Sequence, residues 1–196
     1  MRYVLTLSLI PLLLSAPARA DDADTRAIAA FTAAFAEACT AAFAEDGTLI
    51  EPPQRFTTIM PQSYSTPVPV TLWQFRCNIG AYNLQSVFMA QTEYYGITPM
   101  AFARPDLDVV LEDPDNYEGP VKAVNITGWS ALPYVVNASF NPATAELTEN
   151  SYWRGIGDAS STAVWTLIDD SFRLIRYDVD ATYDGAVNPK TMVSFP

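Results

Sequence analysis

TAVWTLIDDSFRLIRYDV, residues 162–179, is two runs rich in β-branched and aromatic residues, Thr162–Ile168 and Phe172–Val179, joined by Asp169-Asp170-Ser171. Three polar residues of that kind turn a chain back on itself. Strands so close in sequence pair antiparallel, because a parallel return needs a crossover of a dozen or more residues. The same grammar extends backward to about residue 50, with short runs separated by turn signals at Arg55–Met60, Val70–Cys77, Leu84–Gln91, Met100–Arg104, Val121–Gly128, Tyr134–Phe140 and Leu147–Arg154. Most of the 15 prolines fall in this region, and Asn141-Pro142-Ala143-Thr144 supplies another tight connection.

The chain before residue 50 reads differently. Thr25–Glu45 is alanine-rich and sets Ile28, Phe31, Phe35, Cys39, Ala42 and Phe43 at helical spacing, with Asp24 as the expected N-cap and Asp46-Gly47 as the stop. The expected fold is therefore α+β: a helix over 24–46 packed on a mainly antiparallel β-sheet, sandwich or partly closed barrel over 55–185. No repeat or linker divides 21–196, so a single domain is expected.

Residues 1–20 read as a secretory signal. Arg2 gives the positive start, Val4–Leu14 the apolar run, and Ala18-Arg19-Ala20 the small-x-small cleavage pattern. The run is about half the length a membrane-spanning helix needs. The expected location is periplasmic or secreted, without a membrane span. The whole chain carries 22 acids and 11 bases; without Arg2 and Arg19 the net charge is near −13. That field repels nucleic acid and anionic membranes and favours a cationic protein or envelope component as partner.

Two cysteines in an exported chain suggest one disulfide, Cys39–Cys77. Cys39 shares a helix face with Phe35 and Phe43, and Cys77 shares a strand face with Trp73 and Phe75, so both sulfurs point into one helix-on-sheet core.

Composition removes much chemistry. With no histidine in the chain, Ser-His-Asp and Cys-His hydrolases and histidine-based zinc sites are excluded. Arg154-Gly155-Ile156-Gly157-Asp158 lacks the third glycine and following helix of a dinucleotide loop. No cofactor is expected. Catalysis would fall to carboxylates, lysine, tyrosine or serine, none of them marked by spacing.

Three segments in order, Cys77-Asn78-Ile79-Gly80-Ala81-Tyr82-Asn83, Asn141–Leu147 and Tyr152-Trp153-Arg154-Gly155-Ile156-Gly157-Asp158-Ala159-Ser160-Ser161, carry a resemblance. Over roughly residues 70–185 the chain resembles a proteobacterial exported family of unknown function marked by Cys-x-x-Gly-Ala-Tyr-Asn and Gly-Arg-Gly-x-Gly-Asp motifs. Many members of that family carry cysteines where this chain has Ala159 and the stretch around Tyr183. The resemblance implies a periplasmic β-rich domain and supplies no catalytic residue.

Gly80 and the Gly155/Gly157 pair are expected at bulges or tight turns that need unusual dihedrals. Arg154 and Asp158 are candidates for an ion pair across their loop, and Tyr82, Asn83, Arg154 and Asp158 for a ligand cleft if the motifs meet. Asp178, Asp180 and Asp184 gather before Gly185 as a weak calcium candidate, although their spacing is not that of an EF-hand. The leading expectation is a non-enzymatic binding or interaction domain of the cell envelope. A carboxylate-based hydrolase acting on envelope glycans and a calcium-stabilised structural module are the alternatives.

Overall fold

The computed structural model describes residues 20–93 and 95–195. Of the expected signal, residues 1–19 lie outside that range. The chain begins with α1 (Ala20–Phe35) and a 3-10 turn (Thr40–Ala42), followed by β1 (Gln54–Met60), β2 (Val68–Ile79), β3 (Leu84–Thr92), β4 (Gly96–Pro99), β5 (Phe102–Leu111) and β6 (Val121–Leu132). It continues with β7 (Tyr134–Val136), β8 (Ser139–Asn141), β9 (Glu146–Tyr152), β10 (Ser160–Ile168), β11 (Ser171–Asp180) and β12 (Lys190–Ser194).

The strands make two sheets. The first runs β1-β2-β3-β4, with β7 also on β3; the second runs β6-β5-β11-β10-β9-β8, with β12 also on β11. Among the described residues all strand pairings are antiparallel except β5 with β11, which meet in parallel at Phe102 and Phe172. These two strands are distant in sequence, so the hairpin argument never applied to them. The sheets face each other as a sandwich, neither closing into a barrel, and α1 covers the outer face of the first sheet.

Alternation along β2 produces this three-layer order. Val70 and Leu72 point into the sandwich with Phe88, Phe102, Leu147, Trp165 and Phe172. Trp73, Phe75 and Cys77 point the other way, onto Ala27, Phe31, Phe35 and Cys39. Phe31 and Phe75 stack with ring centroids 4.2 Å apart. A strand with period-two side chains can feed two cores only where both faces are apolar, and β2 does so with Val70 and Leu72 on one face and Trp73, Phe75 and Cys77 on the other.

The disulfide forms as expected, with Cys39 and Cys77 Cα atoms 4.3 Å apart. The helix, however, stops at Phe35, well before the expected end at residue 46. Alanine continues to favour helix beyond that point, so the stop is tertiary. Ala38 and Cys39 both donate back to the Phe35 carbonyl, at 3.1 and 2.8 Å. The Asn78 side chain then takes over, its amide donating to the Ala38 carbonyl at 2.9 Å. This break turns Cys39 and Ala42 onto the sheet. Asp24 is not a cap either: it lies inside α1 and accepts a 2.7 Å bond from Trp73 Nε1. Asp46-Gly47 does turn the chain, with Gly47 at φ +80, but it closes the small Phe43–Leu49 bridge rather than a helix.

Two strands lie outside the expected set, β4 and β12, and β12 extends the β-rich body past residue 185. β5 passes straight through Pro105, where a register shift follows at Asp106/Leu107. A bulge beside a proline is where a ladder tolerates the missing N–H.

Candidate functional site

The two motifs meet. The β2–β3 turn is closed by Gly80 N–H donating to the Asn83 carbonyl at 2.7 Å, which projects Tyr82 and Asn83 toward the β9–β10 loop. Tyr82 Oη donates to the Trp153 carbonyl at 3.1 Å. Asn83 brackets Tyr152, its Nδ2 donating to the carbonyl at 2.8 Å and its Oδ1 accepting from the N–H at 3.1 Å.

Asn137, between β7 and β8, ties the same corner together. Its φ of 44 places it in the left-handed region that asparagine tolerates better than most residues. From there Oδ1 accepts from Leu84 N–H at 2.8 Å, while Nδ2 reaches Asn83 Oδ1 at 3.0 Å and the Asn150 carbonyl at 2.9 Å. In the sequence, Asn137-Ala138-Ser139 carries no mark of this role. The Asn137 amide is fully engaged inside the fold.

Arg154 and Asp158 form the expected pair. Arg154 Nε donates to Asp158 Oδ1 at 2.7 Å, and Nη2 bonds the other carboxylate oxygen. The pair extends to the loop after β11: Arg154 Nη2 also donates to the Tyr183 carbonyl at 2.9 Å, its guanidinium lies 5.0 Å over the Tyr183 ring, and Asp158 Oδ2 accepts from Gly185 N–H at 2.9 Å. Asp158 is buried. The Arg154 hydrogen bonds hold its carboxyl far below the ordinary range, outweighing the opposing cost of burial. Such a carboxylate stays ionised at any physiological pH and cannot donate a proton.

Gly157 meets the expectation of an unusual dihedral, at φ +76. Gly80 and Gly155 do not; neither has a positive φ. A Cβ at Gly155 would meet the Tyr82 ring only at ordinary contact distance.

Tyr82, Asn83, Arg154 and Asp158 are thus brought to one end of the sandwich, but their polar atoms are spent on loop backbone and on each other. A cleft of about 360 Å³ opens beside them, lined instead by Glu118, Val121, Tyr183 and Asp184 among others. The geometry makes a rigid loop cluster. A family model described as a protein of unknown function, DUF1176, matches residues 16–192. The chain belongs to the DUF1176 family. No curated protein and no solved structure matches it.

In this DUF1176 chain the weak calcium candidates are each turned to protein donors. Asp178 accepts from Arg176 and Thr191. Asp180, which is buried, accepts from Thr182 and from Asn188 N–H at 2.6 Å. Asp184 accepts from Ala186 N–H at 2.9 Å. Among the described residues no cluster of three or more metal-ligating side chains is present.

Sequence reading missed one constellation in this DUF1176 fold, the buried pair of Arg104 on β5 and Glu149 on β9. Arg104 Nη1 lies 3.0 Å from Glu149 Oε1. Glu149 Oε2 accepts from Arg104 Nη2 at 3.1 Å and from Val136 N–H, in the opposite sheet, at 2.8 Å. Burial raises the Glu149 pKa, with the Arg104 charge partly opposing it. A signal existed: period-two alternation puts Glu149 on the inward face of Leu147. It is a carboxyl of the kind acid catalysis uses, yet it lies sealed in the interior and bonds the two sheets together.

Proposed function

We propose that this is an exported binding domain whose recognition surface is the loop cluster at the motif end of the sandwich, and that its partner is cationic. The observation that carries the reading is a rigid frame with unused apolar tips. Side-chain bonds to backbone fix the 80–83, 137 and 152–158 segments, while Tyr117, Ile156 and Val187, on loops at this end, remain about 70% exposed. Tyr82 and Tyr152 keep part of their rings in solvent. Loops held by a scaffold and exposing aromatic and aliphatic groups are the usual form of a binding surface. Carboxylates surround them, with Glu112, Asp113, Asp115 and Glu118 on the β5–β6 loop and Asp184 after β11. A cationic segment gains there from both charge and ring faces. The disulfide supports export, and among the described residues no helix is long and apolar enough to cross a membrane.

The hydrolase alternative needs a desolvated acid in a cleft beside a second carboxylate. Glu149 is desolvated but lines no such cleft, and Asp158 is locked as an anion, so neither supports it. Retention of basic envelope proteins by the immobilised mature chain is the test, run at low and high salt beside the Tyr117→Ser/Ile156→Ser double variant. Salt-sensitive capture of a basic protein, lost in the variant, is expected. Equal capture by both forms, or capture insensitive to salt, refutes the assignment.

A further inference from the structure

The opposite end of the first sheet carries a groove that the loop cluster does not use. β2 and β3 pair as far as Thr71 with Gln91. Beyond that they fork. β2 runs on to Val68 against β1 alone, whereas β3 turns at Thr92 into β4. The fork opens into a groove of about 470 Å³, within the usual range for small-ligand sites.

Its walls come from both sheets and are fixed in place. The β1–β2 loop is clamped to the β10–β11 turn: Asp169 N–H donates to the Pro61 carbonyl at 3.2 Å, and the Asp169 carboxylate takes both the backbone and the hydroxyl of Ser63. Arg173 pairs with the same carboxylate. Asp169 and Asp170 both adopt positive φ, 49 and 58, a two-residue turn that costs non-glycine residues some strain. That turn sets Asp170 at the groove.

The lining is polar but not spent. Gln62, Thr71, Gln91, Glu93 and Asp170 line the groove, and none of their side chains makes a hydrogen bond or ion pair within the described residues. Half-buried Val68 adds an apolar edge, next to Val70, which is closed into the sandwich core. Two loops beside the fork carry bare rings, Tyr64 fully exposed and Tyr95 at 71%. Unspent amides and carboxylates, each able to engage neighbouring hydroxyls, with an apolar edge and free aromatic faces, match the chemistry of a sugar: hydroxyl edge to the polar groups, C–H face to valine or tyrosine. Glu93 and Asp170 disfavour anionic glycans. We propose that this groove binds a neutral oligosaccharide, at a site separate from the loop cluster.

The test is amide NMR titration of the oxidised mature chain with N-acetylglucosamine, maltose, cellulose and mannan trisaccharides at millimolar concentration, backed by a neutral-glycan array. The expected result is binding of at least one neutral glycan, shifting the amides of 68–71, 91–93 and 170. Gln91→Ala and Asp170→Asn, the latter suited to the left-handed turn, should each weaken that binding about tenfold, as loss of one or two ligand hydrogen bonds requires. Ile156→Ser should leave it unchanged. Shifts confined to the loop cluster, equal binding by the groove variants, response only to an extended peptide, or no glycan binding at all each overturn the proposal. Failure of the cationic-partner reading leaves these outcomes untouched, since they are read at the other end of the molecule.

Discussion

Replacing Cys39 and Cys77 together by alanine should lower global stability by about 4 kcal/mol. The bridge spans 38 residues, and closing a loop of that size removes about 13 cal/mol/K of unfolded-chain entropy. At 25 °C this is about 4 kcal/mol, with a smaller packing loss added because both sulfurs are buried. What lies inside the loop decides where the effect is felt. α1 ends before Cys39, so the helix is outside; all of β1 and most of β2 are inside. The loop gains its freedom only when the first sheet unfolds, and β2 serves both cores. The cost must therefore fall on the whole domain rather than on helix docking. Urea unfolding followed by tryptophan fluorescence, with native-state hydrogen exchange, separates the cases. Amides of β2 and of β10 should lose protection together, by roughly three powers of ten. Faster exchange confined to α1, or a stability loss under about 1 kcal/mol, would refute the reasoning.

Other outcomes follow from the buried polar groups. Glu149→Ala should cost about 3–5 kcal/mol in urea unfolding, because it strands Arg104 in the interior. Since burial raises the Glu149 pKa, the folded state holds its proton more tightly than the unfolded state. Its contribution is complete below about pH 4.3 and is lost as pH rises through the folded value; the stability of wild type relative to Glu149→Gln should fall as pH rises above about 4.3. Asp158 has the opposite sign, its pKa being lowered. Its contribution is present above about pH 3.9 and lost on further acidification, so Asp158→Asn should be less stable than wild type at neutral pH and show a flatter acid limb in thermal melts. Asn137→Gly keeps the left-handed backbone but removes the side-chain hydrogen bonds to Asn83, Leu84 and Asn150, and should lower stability by about 2–3 kcal/mol in urea unfolding.

The parts of this fold that were legible in the sequence are those set by periodicity. Cys77 could be aligned with Trp73 and Phe75 because side chains alternate along any strand, and Cys39 with Phe35 because helix faces repeat; the disulfide and the helix-on-sheet core followed. The end of α1 was not legible, because alanine gives no local reason to stop and the stop belongs to Asn78, some forty residues on. The parallel meeting of β5 and β11 depends on distant segments, so no turn signal announces it. At the loop cluster, the Arg154–Asp158 pair was visible as spacing within one loop. Asn137 was hidden because a positive φ and a three-segment role leave no mark on a single asparagine, and Glu149 because a carboxylate in a polar-looking run reads as surface until its inward register is known.

The double-sided β2 has a consequence for how the gene can vary. No residue from Val70 to Cys77 is exposed, and a slip of one position would turn Gln74 and Arg76 toward the helix and pull Cys77 away from Cys39. In a scan of all single substitutions this strand should stand out as a nearly continuous intolerant band, while β6, of equal length, half exposed and with no buried residue, should tolerate change at most positions. Drift in this chain is channelled to its outer strands and loop tips, where recognition can be retuned while the shared strand stays fixed.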